Sequence, residues 1–400
     1  MVWNLHRQCT MKELENFSPP FCPNENCKHH EKPQTILGEV FWISRGYEKR
    51  KFSSNVRNFQ CKSCKKRFCS NYFSINYCYK KHGHINARVF QGVVEGRSNR
   101  AISRTLGVSE GTVRLRISRL AQIAVFRHAS FLESLKIAEP VAFDGVECFA
   151  RSQYEPNNIN QLIGVNSLFC YTFNFAPLNR KGRMSDRQKN YLKKLEVLEG
   201  RFNPRAIRIS SAELFKDAVA RLDPRMEKLI LQTDEHFQYK RAIRRDLTQE
   251  ERGKIDHRTV SSKATRNYKN ILCAVNHTDL LLRQNVAAFA RETISFAKKH
   301  SRMMQKYTLL ICHKNYMRPK FVKPHKRDPK ANIDSPAMSL GLCSKPLKFH
   351  EFFTNPKGLH PNKESRKKLP KDWQLLINDE VSFKREHKYC KKKQKKRLVS

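Results

Sequence analysis

The sequence predicts an α/β chain: two small modules at the N-terminus, a central domain of strands and helices, and a basic C-terminal tail. Three observations carry this. Two close cysteine pairs fall within the first seventy residues, at Cys22/Cys27 and Cys61/Cys64. A helical apolar period broken by a Gly-Ser turn runs through residues 86–124. From about residue 137, short β-rich runs alternate with amphipathic helices.

Four hundred residues at 39% hydrophobic give enough apolar material for a real core and room for more than one domain. Lys and Arg number 79 against 36 Asp and Glu, a formal net charge of +43. The excess is spread evenly, +14 over residues 1–135, +13 over 136–313 and +16 over 314–400. Such a spread suits long contact with a phosphate backbone, so a polyanion is the expected partner. A basic amphipathic or lipid-anchored segment for a membrane surface is not found, nor a signal-peptide core or an apolar run long enough to span a bilayer. The expected location is therefore the cytoplasm, in association with the nucleoid. Thirteen cysteines there are expected as thiols or metal ligands.

Residues 15–80 read as a zinc ribbon. "FCPNENCKHH" holds Cys22 and Cys27, and "FQCKSCKKRFC" holds Cys61 and Cys64. Two short-spaced thiolate pairs can close one tetrahedral site, and sulfur suits zinc. Four protein ligands leave no open position, so one structural Zn2+ is expected. The first spacing is longer than usual, and His29, His30 and Cys69 stand nearby as substitutes.

Residues 84–130 read as a helix-turn-helix. Val89, Phe90 and Val93 mark one helix, Ala101, Ile102 and Leu106 a second, and Val113, Ile117 and Leu120 a third. Gly107 ends the second helix and Ser109 caps the next. The third helix would enter a major groove, with Thr112, Arg114 and Arg116 expected to touch double-stranded DNA.

Residues 137–345 form the expected main domain. "EPVAFDGVECFA" is a strand, residues 159–179 two more, 185–202 a helix with a charged face, 210–222 a capped helix, "EKLILQTDEHF" a strand, and 276–313 mostly helix. An early antiparallel hairpin followed by parallel strands and covering helices is the order of an RNase H-like domain. In that order Asp144 and Asp234 lie on neighbouring parallel strands. Two adjacent carboxylates repel unless a cation sits between them, and their hard oxygens suit Mg2+ or Mn2+. Two such ions can drive phosphoryl transfer. His236 and His257 are either assistants or ordinary loop residues.

The order of parts resembles a DDE transposase of a bacterial insertion sequence, of the kind with an N-terminal zinc ribbon and helix-turn-helix. The resemblance covers roughly residues 20–345. It rests on the cysteine pairs, the helix-turn-helix, "AFDGVE", "LQTDEHFQY", "NHTDLLLRQNVAAFARETISF" and "SPAMSLGL". It implies a metal-binding triad of Asp144, Asp234 and Glu292. It further implies binding of element ends as an oligomer on DNA, strand cleavage with water, and joining of the freed 3′-OH to target DNA. Asp279 is a rival third carboxylate, but the pattern puts it near a helix start, where capping would explain it. Glu292 is expected mid-helix, sharing an apolar face with Phe289 and Phe296. The other expected functions are a catalytically inactive, domesticated DNA-binding regulator and a structure-selective nuclease. Residues 346–400, ending "YCKKKQKKRLVS", read as a basic arm for non-specific DNA contact.

Overall fold

The computed structural model describes residues 15–31, 40–49, 55–77, 83–261, 263–290, 293, 295–320, 334–353, 369–378 and 385–390. The chain forms two compact units. One comprises Met1–Ser130 with Leu347–Ile377, the other Phe131–Pro346 with Asn378–Ser400.

The first unit opens with a small antiparallel sheet: β1 (Trp42–Glu48), β2 (Val56–Cys61) and β3 (Arg67–Cys69), in that order. Its core is aromatic. Phe59, fully buried, meets Trp42 edge-on at 5.0 Å and Phe68 at 5.7 Å between ring centroids. Three helices follow, Asn86–Val94, Asn99–Leu106 and Glu110–Leu132. Ser98 caps the second through the Ala101 amide. Gly107 ends it at φ 61°, a left-handed conformation that a side chain would strain. Ser109 then accepts the Thr112 amide at 3.1 Å, the expected cap. Val113, Ile117 and Leu120 are buried as the period requires.

Part of the expected tail is core. In the helix Phe349–Phe353, Phe352 and Phe353 are fully buried, and Phe353 packs on Phe90 at 5.2 Å. Trp373 is buried beside His128. The charge count that marks 346–400 as an arm averages over these apolar anchors. The final "KKKQKKRLVS" lies outside the described residues.

The second unit is built on a mixed five-stranded sheet, so the α/β class holds. Its strands are β4 (Val141–Phe149), β5 (Pro156–Gly164), β6 (Cys170–Pro177), β7 (Leu229–Asp234) and β8 (Ile255–Val260), ordered β6-β5-β4-β7-β8. β4, β5 and β6 are antiparallel neighbours; β7 runs parallel to β4, and β8 parallel to β7. β5 is buried along its whole length, polar residues included. Asn160 therefore needs partners, and it donates to Asn174 and to Ser210.

Three expectations change here. The capped helix at 210–222 begins earlier, as Ala206–Ala220, because Ser210 donates back to the Ala206 carbonyl at 2.8 Å instead of capping. The stretch after Asp246 holds a capping-box helix, Gln249–Gly253, and β8, neither of which the pattern predicts. Residues 276–313 are mostly helical, as expected, but the helix is broken where Glu292 is expected mid-helix. Helices Cys273–Asn285 and His300–Cys312 are separated by a 3-10 turn, Ala287–Phe289, after Val286 turns extended at φ −138°. The turn buries Phe289 against Tyr307, while Phe296 packs on Phe149 of β4. Phe289 and Phe296 therefore share no helix face, and Glu292 between them lies outside the described residues. Among the described residues no helix is long and apolar enough to cross a membrane.

Candidate functional site

The sulfurs of Cys22, Cys27, Cys61 and Cys64 all lie within 4.8 Å of one another. Cys22 and Cys64 approach to 3.5 Å, Cys27 and Cys61 to 3.8 Å. A tetrahedron with metal–sulfur bonds of ~2.3 Å has edges of ~3.8 Å, so the donor set fits zinc. Each pair is bent by its own backbone. The Cys27 amide donates to the Asn24 carbonyl, and the Asn24 side chain accepts the Asn26 amide, which absorbs the longer first spacing. On the other side the Lys65 amide donates to the Cys61 carbonyl, with Lys65 at φ 61°. Burial pushes the Cys22 and Cys27 thiols up. Burial opposes ionisation of Cys64 as well, but the Lys66 amide, Asn24 and the neighbouring thiols outweigh it and bring Cys64 to about 6. Two of the substitutes are engaged elsewhere: His30 Nδ1 lies 2.7 Å from the Cys22 carbonyl, and His29 stacks on Phe41.

A second cluster lies at the sheet of the other unit. β4 and β7 pair in parallel at Val141–Leu231 and Ala142–Gln232. Two residues beyond the second pair stand Asp144 and Asp234, so the register brings together the two carboxylates that the sequence singles out. The third carboxylate beside them is Asp279. It does not sit at a helix start, because the helix Cys273–Asn285 begins six residues before it. A cavity of about 380 Å³ is lined by Asp144, Gly145, Glu147, Phe149, Arg266, Asp279 and Arg283.

Burial pushes the Asp144 carboxyl up to about 6, and the charge of Asp234 adds to the shift. The Gly145 amide, at 2.7 Å from Oδ1, and the Tyr239 hydroxyl, at 3.4 Å, hold it back. Asp279 is pushed up to about 7, first by burial and then by the charge of Asp144. Arg283, Gln161 and Arg266 oppose that shift. Gln161 pairs with Asp144 across β4 and β5 and donates its amide to Asp279. Its Oε1 accepts the Tyr307 hydroxyl at 2.9 Å, which fixes the amide's orientation. A Cβ at Gly145 would displace the Asn158 side chain, whose amide nitrogen would collide with it. Asp234 Oδ1 accepts the His236 amide at 2.9 Å, so it also shapes the turn after β7.

The charges of Asp144, Asp234 and Asp279 all act on Tyr239, and Asp144 and Asp279 are pushed toward protonation; among the described residues only the four cysteines bring three or more ligand atoms within 4.8 Å of one another. Nη1 of Arg283 is shut off from solvent and has no hydrogen-bond partner among the described residues. Arg283 as a whole is half-buried at the cavity, where its charge acts on Asp279. Arg266 stands exposed at the same cavity. His236 caps the helix Phe237–Asp246, and His257 contacts Thr233 Oγ1 at 2.9 Å; burial lowers both.

Tyr239, Gln161, Arg266 and Arg283 were not legible as site residues. Asp279 and Arg283 at i and i+4 on one helix face are the signal that could have pointed there. In the first unit Thr112 is partly exposed and Arg114 exposed, but Arg116 is only 2% exposed. Its side chain belongs to the buried face of its helix, which removes it from the surface offered to DNA. No family model matches the chain, and no curated protein matches its sequence.

Proposed function

We propose that the protein is a metal-dependent DNA strand-cleaving and strand-joining enzyme, a transposase of the DDE kind, with Asp144, Asp234 and Asp279 as its cation-holding residues. The observation that carries this is the convergence of three carboxylates in a chain of net charge +43. The strand order β6-β5-β4-β7-β8, antiparallel then parallel, supports an RNase H-like reading of the sheet. Bound to these oxygens, Mg2+ or Mn2+ would activate water or a 3′-hydroxyl and stabilise the leaving oxygen. The chain's own residues do the rest. Tyr239 holds Asp144, and Gln161, oriented by Tyr307, holds Asp279. Arg283 and Arg266 would receive the non-bridging oxygens of the phosphodiester. Thr112 and Arg114 would read duplex ends from the third helix of the first unit. A catalytically silent regulator has no physical use for carboxylates held against one another at a cost.

The test is incubation with end DNA of the element and Mn2+ or Mg2+, followed by mapping of nicked and joined strands. Asp144→Asn, Asp234→Asn and Asp279→Asn should each abolish both products and leave DNA binding intact. Metal-independent cleavage, or full activity in all three variants, overturns the reading.

A further inference from the structure

The helix Asp186–Glu199 carries an exposed face that nothing above uses. Residues 180–194 contain seven Lys or Arg and one acid, Asp186. Arg187, Tyr191, Lys194 and Leu198 lie along one side at helical spacing, all exposed, with Tyr191 at 53% and Leu198 at 76%. A capping box fixes the helix start at Ser185. Beside this face runs the turn between β4 and β5. Its Tyr154 ring stands 4.8 Å from that of Tyr191, tilted by 37°. An open cleft of about 910 Å³ is lined by both tyrosines together with Gln153, Arg187, Asn190 and Lys194.

Tyr154 is held firmly. The Arg385 guanidinium donates to its carbonyl at 2.7 Å, its amide donates to Ser152 Oγ, and Arg151 pairs with Glu155 across the turn. Gln188 donates to Gln153 and ties the helix to the turn. The aromatic pair is thus set in place before any ligand arrives, with Tyr191 exposed and Tyr154 half-buried beside it. The basic segment also leads toward the carboxylates. Arg180 lies 5.5 Å over the ring of Phe149, which lines the carboxylate cavity. Lys181 is near enough to His236, beside Asp234, for its charge to act on that ring.

We infer that Tyr154 and Tyr191 form a stacking platform for an unpaired nucleobase of DNA, whose phosphates follow the basic segment 180–194 to the carboxylate site. Aromatic rings set among cations are what single strands use, since every base offers a π-face and every nucleotide a charge. A paired base buries its faces against its neighbours and cannot enter, so the site selects a strand that is open next to the cleavage point. The inference rests on the nucleic-acid reading above, but not on its chemistry.

The experiment is equilibrium binding without divalent metal. The probes are a single-stranded oligonucleotide carrying 2-aminopurine, read by fluorescence, and a blunt duplex of the same sequence. Tyr191→Ala should weaken single-strand binding by roughly 5- to 100-fold. It should also abolish the quenching of 2-aminopurine, with duplex affinity unchanged, while Tyr191→Phe retains both signals. Equal losses on both DNAs, or none on the single strand, overturn the platform while the transposase reading stands. Failure of the wild type to bind either DNA removes both.

Discussion

The four-cysteine cluster and the carboxylate cluster both gather residues far apart in sequence, but they hold together for opposite reasons. Each cysteine pair is curved into place by its own backbone, through the Asn24 turn and the Cys61–Lys66 hydrogen bonds. Burial keeps the Cys22 and Cys27 thiols neutral beside Cys64, and the cluster sits in an apolar pocket of Phe41, Trp42 and Phe68. The carboxylates come from three separate elements, and their mutual repulsion is paid by the packing of the sheet. A metal in the first site would organise the fold around it; a metal in the second would relieve a strain that the fold already bears.

The largest expected effect follows from the first half of that comparison. Stripping zinc, or replacing Cys61 and Cys64 together by serine, should unfold the cysteine-bearing region, because structural zinc contributes on the order of 10 kcal/mol to small sites. Limited proteolysis and elemental analysis would read it out, with cleavage before residue 80 and the second unit left resistant. A zinc-free protein that resists protease equally throughout would break the comparison.

For the carboxylate site the effect falls on activity. Asp279→Asn should cost at least ~100-fold in strand cleavage and leave the melting temperature unchanged or raised, since it removes a repelling charge. Glu292→Gln is the discriminating partner experiment. If it is the dead variant and Asp279→Asn cleaves normally, the third ligand is Glu292.

Strain in this site also sets a pH dependence. Asp144 at about 6 and Asp279 at about 7 are both raised above the ordinary carboxylate value. Between that value, ~4, and pH ~7 the folded state holds more protons than the unfolded one, so their contribution to stability is present at low pH and lost as pH rises. In EDTA the second unit should therefore lose melting temperature from pH 4.5 to 7.5, all else equal. Mn2+ should restore it, and more strongly at pH 7.5 than at pH 4.5, where protons compete for the same oxygens. A Mn2+ effect independent of pH would mean that the ion binds elsewhere.

Smaller effects separate reading from packing in the first unit. Arg114→Ala should reduce the preference for end DNA over random DNA by ~1–3 kcal/mol. Arg116→Ala should lower the melting temperature and leave that preference alone, because its side chain is buried. Removing residues 391–400 should act least on specificity, lowering affinity on every DNA and flattening the salt dependence. A longer deletion from residue 384 would confuse the result, since Glu386 bridges to Arg201 and Arg385 anchors Tyr154.

Signals carried by neighbouring residues were legible. The Gly107 turn and Ser109 cap, the charged helix after Ser185, the cysteine pairs and the strand that ends at Asp234 can all be read from adjacent residues, and all are present. Their physics is local: a left-handed φ, a hydroxyl facing a free amide, a turn around sulfur. What faces what could not be read that way. Asp279 has the pattern of a helix cap and becomes a cluster residue only because its helix begins at Cys273 and lies beside β4. Arg116 has the composition of a DNA-reading arginine but lies on the side of its helix that other residues cover. Phe352, Phe353 and Trp373 sit in a stretch whose charge reads as a loose arm, and they are core. Composition and spacing determined the elements that are bounded by local turns and caps, but not the start of the helix at Ala206, the short helix Gln249–Gly253 or β8. Burial is decided by what packs across from a residue, and only the tertiary structure supplies that neighbour.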